Sequence, residues 1–264
     1  VLRVAEPDLA VVVAGRTDAG VHALGQVCHV DLPERVDPPE PDVLVRRLRG
    51  VLPPDVRVTS ARPAPPGFDA RFSALRREYR YLLSDSSSGV APLRRHEVVA
   101  HPRPLAVARM TEASRSLVGL HDFAAFCRRR TPTSGESSTV RTLEELSWAR
   151  DTDGTVRARV VADAFCHSMV RALVGCLLAV GDGRRPAAWP AEVLAGRRRD
   201  PAATVAPAHG LTLVRVEYPP DGQLAARAAT ARAVRRPERP GHPAGDRDPT
   251  GWAVTHDPTC GDHA

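Results

Sequence analysis

The chain has 264 residues, 42% hydrophobic and 4% aromatic, enough to bury a sizeable core as one large domain or two smaller ones. Its formal net charge is +6 and all 37 basic residues are arginine, so a polyanion held by guanidinium forks is as natural a reading as a generic basic surface. Five scattered cysteines without a C-x-x-C pair, ten histidines without H-E-x-x-H spacing and the lack of a long apolar run argue against a disulfide frame, a metal site and a membrane span; they predict reduced thiols, no metal, and a soluble cytoplasmic protein.

Residues 11–32, VVVAGRTDAGVHALGQVCHVDL, read as a β-branched strand, a glycine-bounded loop and a second extended segment. The loop sets Asp18 two residues from Arg16, on the same side of an extended backbone. Two readings stay open for that pair: an ion pair on a solvated turn, or a nucleophilic carboxylate beside a cation in a cleft. A proline-rich connector leads to a helix over 42–52, stopped by Pro53 and Pro54, and then to an alternating strand over 56–61. In FDARFSALRREYRYLL, residues 68–83, four aromatics sit among arginines, and 78–83 alternates as a strand with Tyr79 and Tyr81 on one face. Such interleaving suits base stacking with phosphate contact as well as it suits an ordinary core.

Further along, the spacing predicts helices over 105–119 and 121–127, the second turning Phe123 and Phe126 inward. A basic Ser/Thr-rich loop over 128–138 is followed by strands over 140–150 and 155–164 around the turn D-T-D-G. Residues 165–180, FCHSMVRALVGCLLAV, form the strongest helix signal, with an apolar face broken by His167 and Arg171. A single arginine in so apolar a helix requires a partner or a charged ligand. A short helix over 190–198 and a strand over 211–217 close the patterned region, and 220–264 reads as a disordered tail poor in large apolar residues.

Taken in order, AGRTDAGVHALGQV, FDARFSALRREYRY, HDFAAF, DAFCHSMVRALVG and HGLTLVRVEY resemble the TruA-type tRNA pseudouridine synthases across residues 11–218. The resemblance implies an α/β (α+β) fold of two similar halves, 1–100 and 101–219, each an antiparallel-rich mixed sheet with helices on one face and a cleft between them. It implies a homodimer that isomerises uridine to pseudouridine in the anticodon stem and loop of tRNA, without cofactor or metal. By motif position, Asp18 matches the essential aspartate, Arg16 the arginine that fills the space of the flipped base and holds the carboxylate, and Tyr79 the residue that stacks on the base. Arg71 and Arg171 match cleft arginines, Leu211 an apolar side chain against the base, and His22 closes the G-R-T-D-A-G-V-H loop as a substrate-side residue. The phenol of Tyr79 is also the nearest candidate base for the C5 proton, though a weak one at neutral pH that would need help.

Two departures stand out. The family's Y-D-G strand and helix ahead of the loop are not present in this chain, which predicts a sheet short of one strand. Arg49 or Gly50 replaces the family's asparagine before Leu52 and Pro53. These departures keep open an alternative of another class, a catalytically impaired tRNA-binding protein. A sugar-phosphate hydrolase using Asp18 as nucleophile is disfavoured, because no second acid or magnesium ligand set is evident.

Overall fold

The computed structural model describes residues 9–33, 36–128 and 138–232. Strands β1 (Val12–Val13), β2 (His22–Ala23) and β3 (Cys28–His29) come from the glycine-rich region, followed by helix α1 (Pro41–Val51), β4 (Arg76–Ser84), β5 (Val99–Ala100) and α2 (Val107–Ser114). Then come β6 (Gly119–Asp122), β7 (Val140–Arg150), β8 (Val156–Ala162), α3 (Met169–Gly181), α4 (Trp189–Gly196), β9 (Leu211–Glu217) and α5 (Leu224–Arg232). Seven strands form one mainly antiparallel sheet in the order β2-β9-β4-β8-β7-β6, with β5 beside the end of β4; β1 and β3 make a separate ribbon. The expected antiparallel-rich α/β architecture is present, and strands from both sides of residue 100 hydrogen-bond into the same sheet.

Period-two alternation explains which face of the sheet is covered. Tyr79, Tyr81 and Leu83 of β4, alternate residues Val156 to Ala162 of β8, and Leu211 and Leu213 of β9 are all buried in the core, packed with the helices. The opposite face carries cross-strand charge: Arg159 pairs with Glu78 at 2.8 Å and also with Glu145, and Arg76 pairs with Glu144 at 2.9 Å. Every residue of α3 except Arg171 is buried, as a helix apolar on all sides must be. The backbone of residues 202–206 crosses α3 so closely that a Cβ on Gly175 would lie 1.7 Å from the Thr204 carbonyl oxygen. Glycine there is therefore a packing requirement.

Several expectations are corrected. Residues 56–61 form no strand; they are largely exposed and follow a turn that Val56 N closes on the Pro53 carbonyl, where Arg57 Nη1 donates to the carbonyls of Pro53 and Val56. The helix over 121–127 is instead β6, paired antiparallel with β7, and a 3-10 turn over Ala124–Phe126; Phe123 and Phe126 are nevertheless buried as expected. The thiols are not all reduced: Cys127 and Cys166, 39 residues apart, form a disulfide, while Cys28 and Cys176 are free. The region after 219 also begins as a helix. Leu224 and Ala228 of α5 are buried, Ser73 Oγ donates to the Leu224 carbonyl, and Arg227 and Arg232 donate to the Ala74 carbonyl and to Asp69, so the helix docks through two apolar residues at helical spacing and these polar contacts. The rest of the expected tail, from 233, and most of the basic loop, 129–137, lie outside the described residues.

Candidate active site

The glycine-rich loop is pinned before it presents any chemistry. Ala14 N donates to the Val27 carbonyl at 2.8 Å, and the Gln26 side chain both donates to the Gly15 carbonyl at 2.7 Å and accepts from Gly15 N. Leu24 N and Gly25 N both donate to the Leu213 carbonyl on β9. A Cβ on Gly25 would stand 2.2 Å from the Val214 carbonyl oxygen, so only glycine lets the loop lie on the strand. The tip is a turn closed by Val21 N to the Asp18 carbonyl at 3.1 Å, with Gly20 at φ +83° in its third position.

Beneath the loop lies a buried cation that the sequence reading overlooked. Arg77 on β4 donates Nε and Nη2 to the Ala14 carbonyl, Nη1 to the Asp163 carbonyl at 2.7 Å, and Nη2 also to the Arg71 carbonyl. Burial holds its pKa below the ordinary arginine value. One guanidinium thus ties together the loop, the segment carrying Arg71 and the end of β8. Arg77 was hidden as one of several arginines in a basic stretch; its in-phase position with Tyr79 on β4 is the signal that marks it as inward-facing.

Asp18 points to the N-terminal end of α3. Arg171 Nη1 donates to its Oδ2 at 2.6 Å, Ser168 Oγ donates to the same oxygen at 3.2 Å, and His167 Nε2 lies 3.1 Å from Oδ1. Its side chain remains 23% exposed, so a carboxylate held at both oxygens still faces solvent. The positive end of the α3 dipole adds to the favourable field. Arg171 is itself fixed, because its Nε donates to the Ala206 carbonyl at 2.7 Å and Ala206 N returns a bond to its carbonyl. The partner required by a single arginine in an apolar helix is therefore Asp18, 153 residues away in sequence.

The other expected site residues divide. Tyr79 lies under the loop, close enough that a Cβ on Gly15 would meet its hydroxyl at 3.4 Å, and it packs edge-on to Phe165 at 5.1 Å between ring centroids. Burial, reinforced by the Asp18 charge and only partly opposed by Arg77, pushes its pKa up to about 12. A phenol so shifted is protonated at neutral pH. Leu211 is buried at the start of β9 opposite Tyr81, whose hydroxyl donates to the Pro207 carbonyl at 2.8 Å. Arg16 is exposed and makes no ion pair with Asp18 among the described residues, which corrects the expected pairing: Arg171 holds the carboxylate instead. Arg71 is exposed, its guanidinium 4.9 Å from the centre of the Phe72 ring. The ring of His22 is hydrogen-bonded to the His96 carbonyl at 2.6 Å. Among the described residues no three His, Cys, Asp or Glu side chains gather as metal ligands, and no helix is long and apolar enough to cross a membrane.

A carboxylate presented beside a cation and a hydroxyl, with the buried Tyr79 beneath the loop, can stabilise or attack a cationic sugar carbon. Comparison with known proteins bears on that chemistry. A family profile described as tRNA pseudouridine synthase matches residues 113–219, which include β7, β8, α3 and β9. Three relatives share the name tRNA pseudouridine synthase A. The protein from Frankia casuarinae is 60% identical over 240 residues, covering 90% of this chain and 85% of that protein. The one from Streptomyces griseus is 59% identical over 224 residues, covering 84% and 78%. That from Mycobacterium leprae is 51% identical over 233 residues, covering 84% and 80%. At such identity over most of both lengths, the chain belongs to the tRNA pseudouridine synthase A family.

Proposed function

We propose that this protein is an isomerase that converts uridine to pseudouridine in the anticodon stem and loop of tRNA, with Asp18 as the catalytic carboxylate. The reading is carried by one observation: the Asp18 carboxylate, gripped at both oxygens by Arg171, Ser168 and His167, stays partly open to solvent beside Tyr79. Family membership supplies the reaction class. In that reaction the bond from C1′ to N1 breaks, the uracil turns while held, and C5 bonds to C1′. A proton leaves C5 and N1 gains one, so composition is unchanged.

Asp18 acts on the sugar either by adding to C1′ or by assisting elimination to a glycal; both routes place its negative charge against a cationic sugar. Tyr79, protonated at neutral pH, donates a hydrogen bond to the detached uracil and stacks on it. A stacked or paired nucleotide has to be everted to reach a loop set back against the sheet, and exposed Arg16 is placed to occupy the space it leaves. Arg71 and the +6 net charge supply contacts to phosphate. On the same reading the enzyme works as a homodimer in the cytoplasm, without cofactor or metal.

The test is release of tritium from C5-labelled uridine in tRNA. Asp18→Ala should abolish release while leaving tRNA affinity within a few-fold of the parent. Unchanged release in that variant would remove Asp18 from the chemistry. A parent protein that binds tRNA yet releases none would favour the tRNA-binding alternative.

A further inference from the structure

Ser168 stands in two positions that are each locally unfavourable. It is one of only two non-glycine residues at positive φ among the described residues, at φ +63°, where an L side chain crowds its own backbone. It is also the N-cap of α3, yet its hydroxyl makes no capping bond to the helix. A serine at an N-cap ordinarily accepts a hydrogen bond from one of the first free backbone N–H groups of the helix. Here the hydroxyl is turned away from the helix and donates to Asp18 Oδ2 at 3.2 Å. The beneficiary of both local costs is the carboxylate.

The two oxygens of that carboxylate are not equally engaged. Oδ2 accepts from both Arg171 Nη1 and Ser168 Oγ, whereas Oδ1 has His167 Nε2 alone. Arg171, 19% exposed, balances the charge, but with only the exposed His167 on the other oxygen, an arginine contact through one nitrogen leaves the carboxylate plane some freedom to rotate about the bond from Cβ to Cγ. A second donor on the same oxygen, arriving from a different direction, removes that freedom. His167, 40% exposed, is the contact best able to give way to an incoming ligand.

We propose that Ser168 is a positioning residue that fixes the plane of the Asp18 carboxylate, so that Oδ1, the less engaged oxygen, is the one presented to C1′ of the everted nucleotide. The inference rests on Asp18 being the catalytic carboxylate. The strained backbone of Ser168 is then the means by which its hydroxyl is aimed away from the helix and toward the loop.

Glycine and asparagine at this position separate the hydroxyl from the backbone, because both tolerate the left-handed region. In the full chain, Ser168→Gly should lower kcat for tritium release roughly tenfold or more, the scale expected when a reacting group loses its alignment. KM and tRNA affinity should hold, and thermal stability should be equal or higher. Ser168→Asn, whose amide N–H can reach Oδ2, should return kcat to within a few-fold of the parent. A Ser168→Gly variant with parental kcat, or one that changes KM and not kcat, overturns the inference, as does a Ser168→Asn variant no better than Ser168→Gly. Asp18→Ala measured alongside keeps the two claims apart. If it retains turnover, the reading of Asp18 fails; if it is inactive while Ser168→Gly is unimpaired, only the role given to Ser168 fails.

Discussion

An aspartate with arginine and histidine partners stands at each end of helix α3, and the two clusters have opposite fates. At its N-terminal end Asp18 meets Arg171, His167 and Ser168 and keeps 23% of its side chain exposed. At its C-terminal end Asp182 meets Arg184 at 2.8 Å, His101 at 3.3 Å and Arg103 at 3.6 Å, with a side chain only 1% exposed. Similar side chains thus make a presented carboxylate in one place and a sealed one in the other. The helix dipole favours an anion at the first end and opposes it at the second, so Asp182 depends on its cations where Asp18 is helped by the backbone as well. Exposure, more than residue type, separates a site from a brace.

The sharpest way to break this contrast is to remove the cation from the open end. Arg171→Gln should lower kcat for pseudouridine formation roughly 10²–10³-fold, about 3–4 kcal/mol of transition-state stabilisation, with a much smaller change in tRNA affinity. A loss confined to affinity would make Arg171 a phosphate contact and not the partner of the carboxylate.

Next comes the tether beside that end. The disulfide between Cys127 and Cys166 anchors the residue just before His167, and Arg128 N donates to the His167 carbonyl at 3.1 Å. Cys127→Ser should lower unfolding stability by about 4 kcal/mol, as expected for a closed loop of this length, and a reductant should lower the parent but not the variant. Denaturation curves with and without reductant decide it. If reductant leaves the parent curve in place, the bridge contributes nothing to folding.

The closed end should show the smallest effect, and only in stability. Asp182→Asn should cost about 2 kcal/mol of unfolding free energy while leaving kcat per folded molecule unchanged. Burial resists ionisation of Asp182, but the hydrogen bonds and charge of Arg184 outweigh it and hold its pKa below the ordinary carboxylate value. A depressed folded-state pKa means the stabilisation is present above about pH 4 and is lost as the pH falls through the folded value. Acid unfolding curves of parent and variant should therefore converge below that range, and curves that stay parallel would remove Asp182 from the linkage.

Local pattern made much of this molecule legible. The strands expected over 140–150 and 211–217 have those bounds in the structure, and the apolar run containing Arg171 marked α3 and the need for a partner. The identity of that partner was not legible, since Asp18 and Arg171 are 153 residues apart and nothing in either segment encodes the meeting. Proximity in sequence favoured Arg16 as the partner, and the backbone turn sends it outward. The pairing of Cys127 with Cys166, the positive φ of Ser168 and the docking of α5 likewise arise from tertiary contacts. The strand expected over 56–61 had suitable residues but found no neighbouring strand to pair with, and it lies largely exposed after the turn at Pro53.

The central claim is that the carboxylate at the open end of α3 does the chemistry and the one at the closed end does not. Isosteric exchange of each, Asp18→Asn and Asp182→Asn, followed by single-turnover tritium release with enzyme in excess over labelled tRNA, tests it most directly. The account predicts no measurable release from Asp18→Asn with tRNA still bound, and a parental rate from folded Asp182→Asn. Release by Asp18→Asn at the parental rate would contradict it.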